Sequence, residues 1–148
     1  MTSKTSARPP RVHTHTVRVF YGDTDQMGVA YYANYLRWFE MGRNEFLRAA
    51  GCTYQSMEAT GLRLPVVEAG CRYEKPARYD DLLDVEAWIA ERGRVRVRFE
   101  YRIRRRPDAG VLATGFTVHA TLGADGTPKR FPAELSRALD RYEAGLTK

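Results

Sequence analysis

Two aspartates one residue apart, Asp23 and Asp25, stand in a polar stretch punctuated by Gly22 and Gly28. Carboxylates so placed can act as general bases or nucleophiles. Their chemistry depends on the segment that comes next in the chain. Residues 34–50 read as one long amphipathic helix, because Tyr35, Trp38, Phe39, Gly42, Phe46 and Ala49 recur three and four apart on a single stripe. Arg37, Glu40, Arg43, Glu45 and Arg48 fall largely off that stripe. Asn34 is expected to cap the helix and Gly51 to end it. Gly42 costs the helix ~1 kcal/mol against alanine, which a close approach to a sheet would justify. A helix start offers free backbone N–H groups and partial positive charge. A carboxylate beside it suits a reaction in which an oxygen turns negative, as in acyl transfer. On spacing alone, an Asx-turn leading into a cap is the simpler reading of Asp-Thr-Asp.

The 148 residues suit one domain with a core of its own, and 43% hydrophobic with 28% charged is ordinary for a globular chain. No apolar run approaches the ~20 residues that cross a bilayer. The N-terminus shows no apolar signal region, so a cytoplasmic protein without membrane insertion is expected. Cys52 and Cys71 lack metal-ligand spacing and read as reduced thiols. His13 and His15 could share a strand face, but with no third ligand evident no metal site is expected. The net charge of +6 favours anionic partners without choosing among nucleic acid, phospholipid and phosphorylated cofactors. An RNA-recognition motif, zinc ligands and a Gly-x-x-Gly loop are all missing, so no nucleic-acid partner is expected.

Along the chain, residues 1–10 read as a disordered leader and 11–148 as a single domain. Residues 12–20 alternate as a first strand, and residues 53–60 form a short helix capped by Thr53. Strands are expected at 64–73, 82–91, 94–104 and 111–122, and a last helix carries Leu135, Ala138, Leu139 and Tyr142 on one stripe. The fourth strand sets Val95, Val97, Phe99, Tyr101 and Ile103 against Arg94, Arg96, Arg98, Glu100, Arg102 and Arg104. A strand, a long helix and then successive antiparallel strands make an α+β plan, with the helix laid on a sheet.

The segment Tyr21-Gly22-Asp23-Thr24-Asp25-Gln26-Met27-Gly28-Val29-Ala30-Tyr31-Tyr32-Ala33-Asn34-Tyr35-Leu36, succeeded by Glu40, Arg43, Glu45, Leu47 and Gly51, resembles a known signature. It is that of the hotdog-fold acyl-CoA thioesterases of the 4-hydroxybenzoyl-CoA thioesterase family, and among them the Tol–Pal-associated branch. Tyr32 departs from the histidine common in that branch, although the 4-hydroxybenzoyl enzymes also lack a histidine there. The resemblance implies a hotdog fold, an antiparallel sheet wrapped around one long central helix. It also implies hydrolysis of an acyl-CoA thioester, no cofactor beyond the CoA of the substrate, and a homodimer or homotetramer.

By family position Asp25 is the general base or nucleophile, and the Tyr32 backbone amide polarises the thioester oxygen. Tyr21 matches an active-site tyrosine, with packing on the core as its competing role. Gly28 would let the loop approach the substrate closely, while Asp23 is the better candidate for shaping the loop. Tyr31 and Asn34 are candidate substrate contacts. Arg94, Arg96, Lys129 and Arg130 are candidates for the CoA phosphates, since the planar guanidinium suits phosphate. Alternating charges on a sheet face also arise simply from exposure to solvent. A non-catalytic acyl-CoA-binding protein on the same fold is the alternative. A hotdog dehydratase is a further rival, but those enzymes generally pair a histidine with an acid and no histidine lies near the signature.

Overall fold

The computed structural model describes residues 10–146, so all of the expected leader except Pro10 lies outside the described residues. In chain order the elements are β1 (His13–Arg18), α1 (Asn34–Ala49), α2 (Tyr54–Thr60), β2 (Val66–Tyr73), β3 (Leu82–Arg92), β4 (Arg96–Arg105), β5 (Gly110–Ala120) and α3 (Ala133–Glu143). The five strands make one antiparallel sheet in the order β1-β3-β4-β5-β2. Strands β3, β4 and β5 are successive neighbours. Strands β1 and β2, which flank α1 and α2 in sequence, end at opposite edges. The long helix therefore lies across one face of the sheet, which is the hotdog arrangement.

Strict alternation builds the core. Val97, Phe99, Tyr101 and Ile103 of β4 are buried on the helix side, while Arg98, Glu100, Arg102 and Arg104 occupy the other face. The α1 stripe meets them: Phe39 stacks on Tyr101 with ring centroids 4.5 Å apart, and Phe46 meets Phe99 edge-on at 5.8 Å. Burying each such ring contributes about 2–3 kcal/mol. A β-carbon at Gly42 would stand 2.8 Å from Val85 Cγ1, so the glycine lets the helix close onto the sheet. Leu47 is buried at the far end of the helix, whereas Ala49, expected on the stripe, is only half-buried.

Gly51 ends the helix as expected, at a φ of +87°. The start differs from expectation. Ala33 occupies the cap position, and Asn34 is the first helical residue. Its side chain is engaged elsewhere, donating to the Asp23 carbonyl at 2.8 Å. Thr53 does cap α2, its hydroxyl accepting from the Ser56 N–H at 3.1 Å.

Two surfaces bear on function. On the outer face of the sheet, Glu86 accepts from Arg102 and Arg104, and Asp84 from Arg106. Those arginines answer carboxylates on the neighbouring strand. At the far edge, α1 packs chiefly on β1 and β3 and leaves β2 thinly covered. Val66 and Val67 there remain 48% and 51% exposed.

Candidate active site at the start of the central helix

Between β1 and α1 the chain makes a short 3-10 turn at Tyr21–Asp23 and then a tight loop closed by a bridge between Thr24 and Ala30. Within the loop the Asp25 N–H donates to the Val29 carbonyl at 2.9 Å, and the Gly28 N–H to the Asp25 carbonyl at 3.0 Å. Gly28 sits at a φ of +80° with open space around it. The turn by itself selects glycine, and the space around it leaves room for the substrate approach expected from the sequence.

Asp23 is the clamp of the loop. Its carboxylate accepts from the Phe20 N–H at 2.8 Å and from Arg37 at 2.6 Å, while its carbonyl accepts from the Tyr31 N–H and the Asn34 side chain. The residue is 8% exposed. The loop-shaping role read from the sequence is the one observed. The part played by Arg37 was not legible, because helical spacing shows only that it leaves the apolar stripe.

Asp25 lines a hollow of about 260 Å³ with Val29, Ala30, Tyr32, Tyr35, Tyr73, Glu74, Lys75 and Pro76. Its Oδ1 accepts from the Met27 N–H at 2.8 Å, and its Oδ2 accepts nothing among the described residues. Beside it lies the start of α1. The Asn34, Tyr35 and Leu36 amides are bonded to carbonyls three residues back, whereas the Tyr32 and Ala33 amides have no acceptor among the described residues. Two adjacent N–H groups without acceptors thus lead into the positive end of a 16-residue helix, and the residue of the first, Tyr32, shares the hollow with Asp25. Such a place can hold an oxygen that gains charge while the carboxylate works on the carbon bearing it.

The far wall comes from β2. The Tyr73 hydroxyl donates to the Tyr32 carbonyl at 2.8 Å, and its ring meets Tyr35 edge-on at 4.9 Å. Burial first, then the neighbouring Cys71 thiol, pushes the Tyr73 phenol up to about 12, which keeps its proton in place as a donor. Tyr35 in turn accepts from the Ala77 N–H at 3.0 Å, tying the wall to the helix. Tyr73 and Lys75 were not anticipated as site residues. They reach the helix start only because the Tyr73 end of β2 comes back to it, and no local pattern announces that.

The other expected residues are distributed differently. Tyr21 is 77% exposed and packs edge-on against Tyr79 at 5.7 Å, outside the Asp25 hollow. Tyr31 stands at the rim beside Tyr32, ring centroids 4.8 Å apart. Arg94 and Arg96 lie at the β3–β4 connection, and Val97 there aligns through His119 with Val66 at the start of β2. Tyr73 is at the opposite end of that strand. Lys129 donates to the Thr60 carbonyl at the end of α2, and Arg130 is exposed nearby. Within one copy none of these four lines the Asp25 hollow.

An antiparallel sheet laid on one long helix is the hotdog fold of thioesterase-like proteins. The chain belongs to the thioesterase-like superfamily, whose profile it matches over residues 19–139. It is 37% identical over 124 residues to the acyl-CoA thioesterase YbgC of Haemophilus influenzae, covering 83% of this chain and 90% of that protein. It is 38% identical over 87 residues to the putative acyl-CoA thioesterase YneP of Bacillus subtilis, 59% of this chain and 63% of that one. Among solved structures, a DHNA-CoA thioesterase from Staphylococcus aureus superposes with a TM-score of 0.82 at 27% identity, over 90% of this chain and 91% of that one.

Proposed function

We propose that the protein hydrolyses an acyl-CoA thioester to the free acid and CoA. The observation that carries this reading is the Asp25 carboxylate sharing a hollow with Tyr32, whose N–H, like that of Ala33, has no acceptor among the described residues. The thioester oxygen would take the two N–H groups. Asp25 would then either remove a proton from water attacking the carbonyl carbon, or attack that carbon itself to form a mixed anhydride that water then hydrolyses to the acid and free Asp25. The carbon–sulfur bond breaks, and the CoA thiolate leaves and takes a proton from solvent. Carboxylates are weak bases, but a thioester is activated and a thiolate departs readily. The signature from Tyr21 to Leu36 supports a place in the Tol–Pal-associated branch. Two free cysteines support a reducing compartment, the cytoplasm. Among the described residues no helix is long and apolar enough to cross a membrane.

The bare edge of β2 supports a homodimer formed by antiparallel pairing of β2 with its copy. Such pairing sets the Val66 end of one strand beside the Tyr73 end of the other. The Arg96 and Lys129 end of one copy would then approach the Asp25 hollow of its partner, where the CoA phosphates need cations. The test of function is thiol release from a panel of acyl-CoAs. Asp25→Asn is expected to lower turnover at least ~100-fold. Full activity in that variant would remove Asp25 from the mechanism. Binding of acyl-CoA without hydrolysis by the wild type would favour the non-catalytic alternative. In a single turnover in oxygen-18 water, label on Asp25 requires a mixed anhydride opened at the Asp25 carbon and so establishes the nucleophile, whereas a base places label in the acid alone.

A further inference from the structure

A second polar construction lies beneath the other half of α1, and the chemistry at Asp25 does not use it. His119 is fully buried; its Nδ1 lies 2.9 Å from the Leu64 carbonyl and its Nε2 2.8 Å from Thr117 Oγ1. Thr117 Oγ1 is 2.6 Å from the Tyr101 hydroxyl, to which Arg43 donates at 3.4 Å. The directions of these bonds are determined. A carbonyl only accepts, so His119 Nδ1 carries the proton, and the neutral ring accepts at Nε2 from Thr117. Thr117 then accepts from Tyr101, leaving the Tyr101 oxygen to accept from Arg43. Burial, more than the nearby Arg43 charge, holds His119 below its ordinary range and keeps the ring neutral. The relay runs one way, from Arg43 to the Leu64 carbonyl.

Its effect is to hold the Arg43 guanidinium in place with most of its donors unsatisfied. The side chain is 12% exposed, yet among the described residues it makes only that long hydrogen bond and an ion pair of 3.9 Å to Glu40. The Glu40 pair is longer than a hydrogen bond, and the Glu40 side chain is 60% exposed. Arg43 forms part of the wall of a hollow of about 380 Å³ that is apolar at Leu47, Cys52, Met57 and Leu64 and polar at Glu40, Asn44 and Thr53. Two other charged groups line it: Glu40, whose side chain is largely exposed, and Arg48, whose guanidinium lies 3.4 Å from Glu45. A largely desolvated guanidinium whose one carboxylate neighbour stands 3.9 Å away lacks a close acceptor. The group that fills its planar fork best is a carboxylate.

We propose that the hollow beside Arg43 is a carboxylate-binding site, taking a short apolar acid or the far end of an acyl group that bears a second carboxylate. Apolar walls hold the methylene chain and Arg43 takes both carboxylate oxygens. Asp25 is not part of this site, and the proposal stands whether or not the thioesterase reading does.

Two of the four methionines serve as probes. Met57 lines the Arg43 hollow and an adjoining one with Leu62 and Pro65, so the Arg43 variant assigns its response. Met27, with an exposed side chain, reports the loop in which its amide holds Asp25. With carbon-13 methionine methyls, hexanoate is expected to shift the Met57 signal, and hexanamide to do so at least about ten-fold more weakly. Arg43→Met should weaken the hexanoate response by a similar factor. In the hydrolysis arm, Arg43→Met should lower the ratio of adipoyl-CoA to heptanoyl-CoA turnover at least about ten-fold if the carboxylate arrives on the acyl group. An unmoved ratio with a Met57 response identifies a free acid as the ligand. Hexanoate that shifts Met27 alone, or neither methyl, overturns the site, as does an equal Met57 response to hexanamide. Should Arg43→Met fail to fold, Arg43→Lys keeps the charge without the fork, and the wild-type comparison of hexanoate with hexanamide still decides. Absence of hydrolysis by the wild type would reject the thioesterase reading while leaving the methyl spectra to judge this one.

Discussion

Tyr73 joins two parts of the active site that are distant in sequence. Its hydroxyl fixes the peptide between Tyr32 and Ala33, and the N–H of that same peptide belongs to Ala33. Loss of the hydroxyl frees that peptide plane without emptying the hollow. Tyr73→Phe is therefore expected to lower kcat about five-fold, the worth of one neutral hydrogen bond, with KM for the acyl-CoA nearly unchanged. Because the phenol titrates only near 12, the loss should be the same from neutral to mildly alkaline pH. A change confined to KM would show that Tyr73 contacts substrate instead of positioning the amide.

The strands and helices were largely legible from period alone. The alternation in β4 and the three-four spacing in α1 each name the face that ends up buried. Close approach was legible too, through Gly42. Gly115 carries the same meaning but is inconspicuous in a strand pattern: a β-carbon there would meet Phe39 Cε2 at 2.4 Å and the Gly70 carbonyl at 2.5 Å. A ring can shift, but a strand carbonyl in the ladder cannot. Gly115→Ala should destabilise by about 1–3 kcal/mol in urea unfolding. Gly42→Ala should lose less, because only a valine methyl must move and the helix regains ~1 kcal/mol of propensity. What period could not convey was the pairing of distant segments. Asn34 looked like a cap because caps are local, and it was diverted by Asp23. The candidate cations at Arg94 and Lys129 were named from charge, which carries no information about which end of the sheet they occupy.

For the molecule as a whole, protons set the limits of stability. His119 has a folded pKa below its ordinary 6.5, so as pH falls through that value the unfolded chain binds a proton that the native state refuses. Stability is lost from there downward. Burial pushes the Glu86 carboxyl up, but the hydrogen bonds and charges of Arg102 and Arg104 outweigh it and hold Glu86 below 4.5. Its contribution is complete above 4.5 and disappears as pH falls toward the lower folded value. Urea unfolding across pH is expected to show two declines, one starting near 6.5 and one below 4.5. Glu86→Gln should shrink the second and leave the first. Asp84 shares the second decline, because burial is outweighed there by hydrogen bonds to Arg106 and Thr16. A profile level down to 4.5 would show that the buried ring already accepts a proton in the native state.

The thin cover over β2 has a kinetic consequence as well. One flank of this strand is held by β5 alone, and the strand carries Leu64 just before one end and Tyr73 at the other. In dilute solution its amides should exchange with deuterium well before those of β4, which is bonded on both sides. Raising the protein concentration should slow β2 and leave β4 as it was. Exchange of β2 that stays fast at every concentration would mean that the strand meets no second copy, and that each hollow is complete within a single chain.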